Sequence, residues 1–159
     1  MGVTLSEQVR GTSDVPGRRG RVNVYPDRVP IDVMMPFYGD VEQFKQAVTS
    51  VLEQSDPDFR LVVIDDCHPS DEPREWLAGL ADGRVHYERN AHNLGVNGNF
   101  RRCVDLVTAD RYVVMGCDDV MLPGYLKGVR ALADAHPDAA VIAPGVEVID
   151  ADDHVVRPL

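Results

Sequence analysis

The chain has 159 residues, 44% of them apolar and 26% charged, a composition typical of one soluble globular domain. No apolar run approaches the roughly 20 residues that cross a bilayer, and the first residues lack the apolar segment of a signal peptide. Residues 1–30 hold five arginines and three acids, so the net charge of −10 is concentrated in residues 31–159. An acidic body argues against a nucleic-acid partner, because nucleic acids are polyanions.

The cysteines and histidines show no ligand or disulfide pattern. Cys67, Cys103 and Cys117 form no CxxC motif and are odd in number, which suits a reducing compartment. The five histidines lack the spacing of zinc ligands. We therefore expect a cytoplasmic protein without a zinc site.

Residues 1–30 contain the stretches "GTSDVPGRRGR" and "YPDRVP", which are rich in Gly, Pro and Arg and have no hydrophobic periodicity. This composition predicts a flexible leader. The folded domain is then expected to span residues 31–159.

Strands and helices alternate from Ile31 onward. "IDVMMP" predicts a strand, and "DVEQFKQAVTSVLEQ" predicts an amphipathic helix that Asp40 caps. "FRLVVIDD" is a second predicted strand, followed by a helix from Glu72 to Leu80 that opens with Ser70, Asp71 and Pro73. "RVHYERN" is the third predicted strand, and the loop "AHNLGVNGN" follows it.

The second half continues the alternation. A helix is predicted with an apolar face of Phe100, Cys103, Val104 and Val107, and "RYVVMG" is the fourth strand. Another helix is predicted with a face of Leu122, Leu126, Val129 and Leu132. "AAVIAPGVEVID" predicts a fifth strand that bends at Pro144-Gly145. The order predicts an α/β fold with a mostly parallel sheet and helices on both faces.

Polar residues gather where the predicted strands end. Strand one ends in "PFYGD" (residues 36–40), strand two in Asp65-Asp66, and strand four in Asp118-Asp119, while strand three leads into residues 90–99. Ligands of open parallel sheets bind outside the carboxyl ends of the strands. Four strand ends thus indicate one site.

The residue types suit a nucleoside diphosphate. Asp118 and Asp119 are the oxygen ligands that Mg²⁺ or Mn²⁺ prefers, and such an ion neutralises a leaving diphosphate. Asp66 accepts hydrogen bonds from a base N–H or from ribose hydroxyls. Phe37 or Tyr38 offers a face to a planar ring. Each feature alone also fits a structural role. The acidic pair fits a helix cap or solvated turn, and the aromatics fit core or rim side chains. Asn93, Gly95, Asn97 and Gly98 fit turn residues.

The order of these motifs resembles family 2 glycosyltransferases, in particular the nucleotide-binding half of their GT-A fold. The resemblance covers about Ile31 to Val148 and rests on "MPFYGD", "LVVIDDCHPSDEP" and "YERNAHNLGVNGNFRRCVDLVTADRYVVMGCDDVMLPGYL". It implies that Asp118 and Asp119 take the DxD-like metal and ribose position, with Asp119 the direct ligand of Mn²⁺ or Mg²⁺. This sequence reads Cys-Asp-Asp there instead of Asp-x-Asp. The nucleotide-sugar-binding residues that it implies are Pro36, Phe37, Tyr38, Asp40, Asp66, Asn93, Gly95 and Asp118.

The expected activity is inverting transfer of a sugar from a nucleoside diphosphate donor, with UDP- or dTDP-sugars favoured, to an unknown acceptor hydroxyl. Family members continue into an acceptor half that carries the catalytic base. We therefore expect that this chain is truncated before that half and that the base lies outside these residues. Such a chain should bind the donor but transfer the sugar poorly. One alternative is a non-catalytic nucleotide-sugar-binding module. Another is a receiver-like signalling domain, which is disfavoured because Lys45 and Lys127 fall in predicted helices instead of at strand ends. A homo-oligomer is left open.

Overall fold

A computed structural model of the chain describes residues 30–143, 145–150 and 154–158. The predicted leader, apart from Pro30, and the predicted bend at Pro144 lie outside these ranges. None of the described helices is long and apolar enough to cross a membrane. The elements are β1 (Ile31–Phe37), α1 (Val41–Leu52), β2 (Phe59–Asp65), α2 (Glu72–Leu80), β3 (Val85–Arg89), α3 (Gly95–Asp105), β4 (Arg111–Val114), α4 (Tyr125–Ala135), β5 (Glu147–Ile149) and β6 (Val155–Pro158).

Four strands form a parallel sheet in the order β3-β2-β1-β4, as the alternation predicts. Ile31 at the start of β1 lies opposite Phe59 of β2 and Arg111 of β4, so β1 is central. The chain adds β2 and β3 on one side of β1 and then returns to place β4 on the other side. The order differs from the 2-1-3-4-5 order of receiver-like folds, which argues against that alternative.

Helices cover both faces of the sheet, which confirms the predicted layers. Ile31, Val33, Met35 and Phe37 of β1 belong to one apolar cluster with side chains of α1, α2 and α4. Met34 points the other way and clusters with Cys103 of α3. All seven residues of β1 are buried because a strand in the middle of a doubly covered sheet has no solvent face.

A partly buried ion pair joins β1 to β2 on the α3 side. Arg60 donates to both carboxylate oxygens of Asp32, at 2.9 and 2.6 Å. The backbone N–H groups of Thr108 and Ala109 donate to the same carboxylate. Burial raises the pKa of Asp32, but these hydrogen bonds outweigh burial and hold the pKa below its ordinary value.

The predicted apolar faces of α3 and α4 are wrong in part. Helix α3 begins at Gly95, inside the predicted loop, and it buries Asn99 and Cys103 while Phe100 and Val104 are exposed. Helix α4 begins after Leu122, and its Leu132 is exposed. Its buried residues are Leu126, Arg130 and Ala133. In both helices a polar side chain occupies a core position because a specific partner accepts its hydrogen bond. Asn99 donates to the backbone oxygen of Ile64, and Arg130 donates to Asp56.

The predicted fifth strand does not join the parallel sheet in the part of the chain that the structure describes. Among the described residues of the predicted stretch, only Glu147–Ile149 forms a strand, and it pairs antiparallel with β6 in a separate two-stranded sheet. The prediction used hydrophobicity alone, and hydrophobicity does not specify the partner of a strand.

Candidate nucleotide site

A cleft of about 530 Å³ opens at the carboxyl ends of β1, β2 and β4. It lies where the strand order reverses around β1, the position at which open α/β sheets bind ligands. Seven of the nine predicted site residues line it. The lining residues are Pro36, Tyr38, Gly39, Asp40, Gln43, Asp66, Asn93, Gly95, Val96, Asn99, Phe100, Gly116, Cys117 and Asp118.

The two aromatic residues at the end of β1 have different environments. Tyr38 is 56% exposed and lines the cleft, with its ring edge-on to His68 at 6.0 Å. Phe37 is fully buried, and its ring lies 4.2 Å from that of Phe44. The prediction that Phe37 lines a base is therefore wrong, because Phe37 continues the core face of Ile31, Val33 and Met35.

Asp40 combines a structural position with a place in the cleft. Its Oδ1 accepts from the backbone N–H groups of Glu42 and Gln43, both at 2.9 Å, which caps α1 as predicted. Asp40 and Gln43 both line the cleft. The first turn of α1 thus forms part of its wall.

Asp65 and Asp66 are adjacent and buried, but they face different partners. Asp65 accepts from the backbone N–H of His68 at 2.7 Å and from the hydroxyl of Tyr87. Burial, together with the hydrogen bond to Asp65, raises the pKa of Tyr87 to about 12. Asp65 therefore holds β2 to β3, and Asp66 is the member of the pair that lines the cleft.

Asp66 also orders the loop after β3. Its Oδ1 accepts from Asn90 Nδ2 at 2.8 Å and from the backbone N–H of Leu94 at 2.7 Å. None of the described residues donates a hydrogen bond to its Oδ2. The carboxylate thus has one oxygen engaged with the protein and one that is open to another donor.

A buried amide network extends from Asp66 to α3. Asn90 Nδ2 also donates to Asn99 Oδ1 at 2.9 Å, and Asn99 Nδ2 donates to the backbone oxygen of Ile64. Within the described ranges Asn90 Oδ1 is buried without a hydrogen-bond partner. Sequence reasoning treated these residues as part of a turn-rich loop. The available signal was the spacing of Asn99, four residues before the buried Cys103 on the same helical face.

Asn93 and Gly95 form the turn into α3 and also line the cleft. Asn93 Oδ1 accepts from the backbone N–H of Gly95 at 2.9 Å. Gly95 has a φ of +71°, a conformation that favours glycine. Next to this turn, Val96 and Phe100 supply an apolar wall that the sequence reading missed.

The acidic pair follows β4 around Gly116. Asp118 and Asp119 are exposed, and Asp119 Oδ2 accepts from the backbone N–H of Gly116 at 3.2 Å. A Cβ added at Gly116 would lie 2.7 Å from Asp119 Oδ2 and 2.8 Å from Asp118 Oδ1. Both oxygens therefore lie near the point where a side chain would leave the backbone of Gly116. Their separation is at most the sum of these two distances.

Asp118 and Asp119 are the residues that would hold a divalent cation at this end of the cleft. Mg²⁺ is usually held by one or two carboxylates together with substrate phosphates and water. No group of three or more His, Cys, Asp or Glu side chains that could hold a metal occurs among the described residues. Cys117 lies beside the pair, and burial, followed by the two negative charges, raises the pKa of its thiol. Asp119 is not among the residues that line the cleft, so its role as direct ligand stays a prediction.

The sequence matches glycosyl transferase family 2 over residues 32–159. The chain belongs to this family. It is 31% identical over 114 residues to the Mycobacterium tuberculosis (strain CDC 1551 / Oshkosh) protein named "Uncharacterized protein MT1568", a match that covers 71% of this chain and 35% of that protein. The family assignment confirms the resemblance found in the motifs.

Solved structures with a similar fold include S. aureus TarS. Its crystal structure superposes with a TM-score of 0.62 at 17% identity, covering 76% of this chain and 42% of that one. TarS in complex with UDP has the same TM-score at 16% identity, covering 79% of this chain and 43% of that one. At this identity the likeness shows a shared fold. The chain spans less than half the length of these relatives.

Proposed function

We propose that the chain binds a nucleoside diphosphate sugar, with UDP- or dTDP-sugars favoured, and provides the donor site of an inverting glycosyltransferase that uses Mn²⁺ or Mg²⁺. The observation that carries the proposal is the meeting of Tyr38, Asp66 and Asp118 in one cleft. The aromatic face and the open carboxylate oxygen match the base of such a ligand, and the acidic pair matches its diphosphate through a cation. TarS has been crystallised with UDP and with UDP-GlcNAc, which supports a ligand of this class.

The base would lie at the Tyr38 end of the cleft. Tyr38 offers a partly exposed ring, and Asp66 offers Oδ2 as an acceptor. An ionised carboxylate accepts only, so it pairs with the ring N–H of uracil or thymine. Cytosine lacks that N–H at the corresponding ring position. This difference favours uracil and thymine over cytosine.

The diphosphate would lie at the Asp118 end. Without a cation, the carboxylates of this end repel a diphosphate. In the proposal Asp118 and Asp119 hold Mn²⁺ or Mg²⁺ on the side of Gly116 that both oxygens share. The cation would act as a Lewis acid that stabilises the departing diphosphate. Transfer also requires a general base beside the acceptor hydroxyl, and we assign that role to none of the described residues.

Calorimetric titration tests the proposal. We expect UDP to bind in the presence of Mn²⁺ and at least tenfold more weakly with EDTA, because a cation held by Asp118 and Asp119 would offset the repulsion between the carboxylates and the diphosphate. Asp118→Asn and Asp119→Asn should each remove most of this metal dependence. Asp138→Asn, an exposed acid outside the cleft, is the matched control and should behave as the parent. Equal UDP affinity with and without Mn²⁺ would contradict the metal assignment, and absence of binding of both UDP and dTDP would contradict the proposed function.

A further inference from the structure

The segment that follows the acidic pair is fastened to α1 by Gln54, which lies just beyond the end of that helix. Gln54 is 6% exposed, and its Nε2 donates to the backbone oxygens of Met121 at 3.2 Å and Leu122 at 2.9 Å. Its Oε1 accepts from the backbone N–H of Leu126 at 3.1 Å. Leu126 lies in the first turn of α4, where N–H groups lack helical partners, and Gly124 before it has no side chain to cap the helix. Gln54 therefore takes the place of a cap for α4.

Ser50, one turn earlier, holds the same segment. Its hydroxyl donates to the backbone oxygen of Ala47 at 2.7 Å and accepts from the backbone N–H of Met121 at 2.9 Å. Both backbone polar groups of Met121 are thus bonded to side chains from the α1 region. We call Ser50 and Gln54 the α1 clamp.

The clamp lies close in sequence to the acidic pair. Asp118 and Asp119 sit between Met115 and Met121, which are both buried in the same apolar cluster. Met115 is fixed by the sheet, since its backbone N–H donates to the oxygen of Met34. Met121 is fixed by the clamp. The other end of α1 carries Asp40 and Gln43, which line the cleft, so one helix connects both walls.

We propose that Ser50 and Gln54 are positioning residues, which hold the backbone after the acidic pair so that Asp118 and Asp119 converge on one cation. This inference rests on the proposed function. Two exposed carboxylates repel each other and separate when their backbone is free to move, and a cation then loses the benefit of two ligands held in place. The clamp opposes that separation from the carboxyl-terminal side of the pair.

The expected effects differ between the two ends of the cleft. Gln54→Leu leaves the oxygen of Met121 and the N–H of Leu126 without a partner, while the oxygen of Leu122 keeps only the N–H of Tyr125. We expect the affinity for UDP with Mn²⁺ to fall by about tenfold or more. Ser50→Ala removes one bond to the segment and should lower that affinity by about fivefold. Uridine, which has no phosphate, should bind each variant within about twofold of the parent, because its proposed contacts, Tyr38 and Asp66, directly follow β1 and β2.

Thr49→Ala is the matched control. Thr49 Oγ1 donates to the backbone oxygen of Lys45 at 2.8 Å, a bond within α1 like that of Ser50 to Ala47, and Thr49 is exposed. Its loss costs the helix a similar bond without touching the segment after the acidic pair. A difference between Ser50→Ala and Thr49→Ala therefore reports the clamp.

The experiment combines two measurements on the full chain well below its melting temperature. Amide hydrogen exchange, read at the N–H groups of Met121 and Leu126, tests the clamp without any ligand. Calorimetry with UDP plus Mn²⁺ and with uridine tests its consequence. The proposal expects faster exchange together with weaker metal-dependent UDP binding in Ser50→Ala and Gln54→Leu, and neither change in Thr49→Ala.

Each other outcome overturns a distinct statement. Parent-like exchange at Met121 and Leu126 in Ser50→Ala would show that the clamp does not hold the segment. Faster exchange with unchanged affinity for UDP and Mn²⁺ would show that it does not position the acidic pair. Equal losses for uridine and UDP would show general loosening of the cleft and would also overturn it. If Gln54→Leu does not fold, Ser50→Ala decides alone. A parent that binds neither UDP nor dTDP with Mn²⁺ would refute the proposed function itself.

Discussion

Replacing Asp66 by asparagine separates its structural contacts from its proposed contact with a base. The amide keeps an oxygen in the position of Oδ1, which accepts from Asn90 Nδ2 and from the backbone N–H of Leu94. It places an NH₂ group where Oδ2 was. A donor then faces the ring N–H of uracil in place of an acceptor.

The two consequences have different magnitudes. Hydrogen bonds to a charged acceptor contribute about 1.5–3 kcal/mol and neutral ones about 1 kcal/mol, so two weakened bonds should lower the free energy of unfolding by about 1–3 kcal/mol. The mismatch with the base leaves two donors unpaired and should weaken nucleotide binding by about 1–3 kcal/mol, or about 5- to 150-fold in Kd. The folded variant should therefore bind both UDP and uridine more weakly.

Calorimetry with saturating Mn²⁺, at a temperature well below unfolding, measures this loss. Asp65→Asn is the matched control, because Asp65 is equally buried but accepts from His68 and Tyr87 and does not line the cleft. It should lose stability and keep nucleotide affinity. Parent-like affinity for UDP in folded Asp66→Asn would refute the assignment of Asp66 to the base.

Three further predictions follow from the geometry. Gly116→Ala should leave the fold intact, since Gly116 has no positive φ. The added Cβ would displace the side chains of Asp118 and Asp119, so metal-dependent UDP affinity in calorimetry should fall by about tenfold. Unchanged affinity would contradict the convergence of the pair. Cys67→Gly should raise stability by about 1 kcal/mol in thermal unfolding, because Cys67 has a φ of 62°, and a lower melting temperature would argue against strain there. Asp32→Asn should destabilise the protein above about pH 4, because the pKa of Asp32 is lowered in the fold and its charged form stabilises the protein above the unfolded-state pKa. The gap between parent and Asp32→Asn should shrink as the pH falls through that lowered pKa, and a constant gap in denaturant titrations would contradict the ion pair with Arg60.

The first half of the fold could be predicted from local pattern. Helix α2 agrees with its predicted bounds, and β1, α1 and β2 agree to within two residues at each end, because their apolar periods and caps lie within each segment. The faces of α3 and α4 could not be predicted this way, because Asn99 and Arg130 occupy core positions through partners that are distant in sequence. The rule that ligands bind outside the carboxyl ends of parallel strands predicted seven residues that line one cleft, although the rule uses no information on tertiary contacts.

Two features of the site show what can and cannot be predicted from the sequence alone. The alternation of β1 is sufficient to separate Phe37, on the core face, from Tyr38. The α1 clamp had no local signal, because Gln54 and Met121 are 67 residues apart and Gln54 resembles any polar residue at a helix end. Hydrogen bonds between a side chain and a distant backbone depend on tertiary packing, which a single sequence does not contain.

A crystal structure of the chain with UDP and Mn²⁺, with anomalous diffraction recorded for manganese, tests the central claim most directly. The account predicts uracil beside Tyr38 with its ring N–H donating to Asp66, and one anomalous peak between the diphosphate and the carboxylates of Asp118 and Asp119. UDP bound outside the cleft, or a manganese peak remote from both carboxylates, would contradict the account.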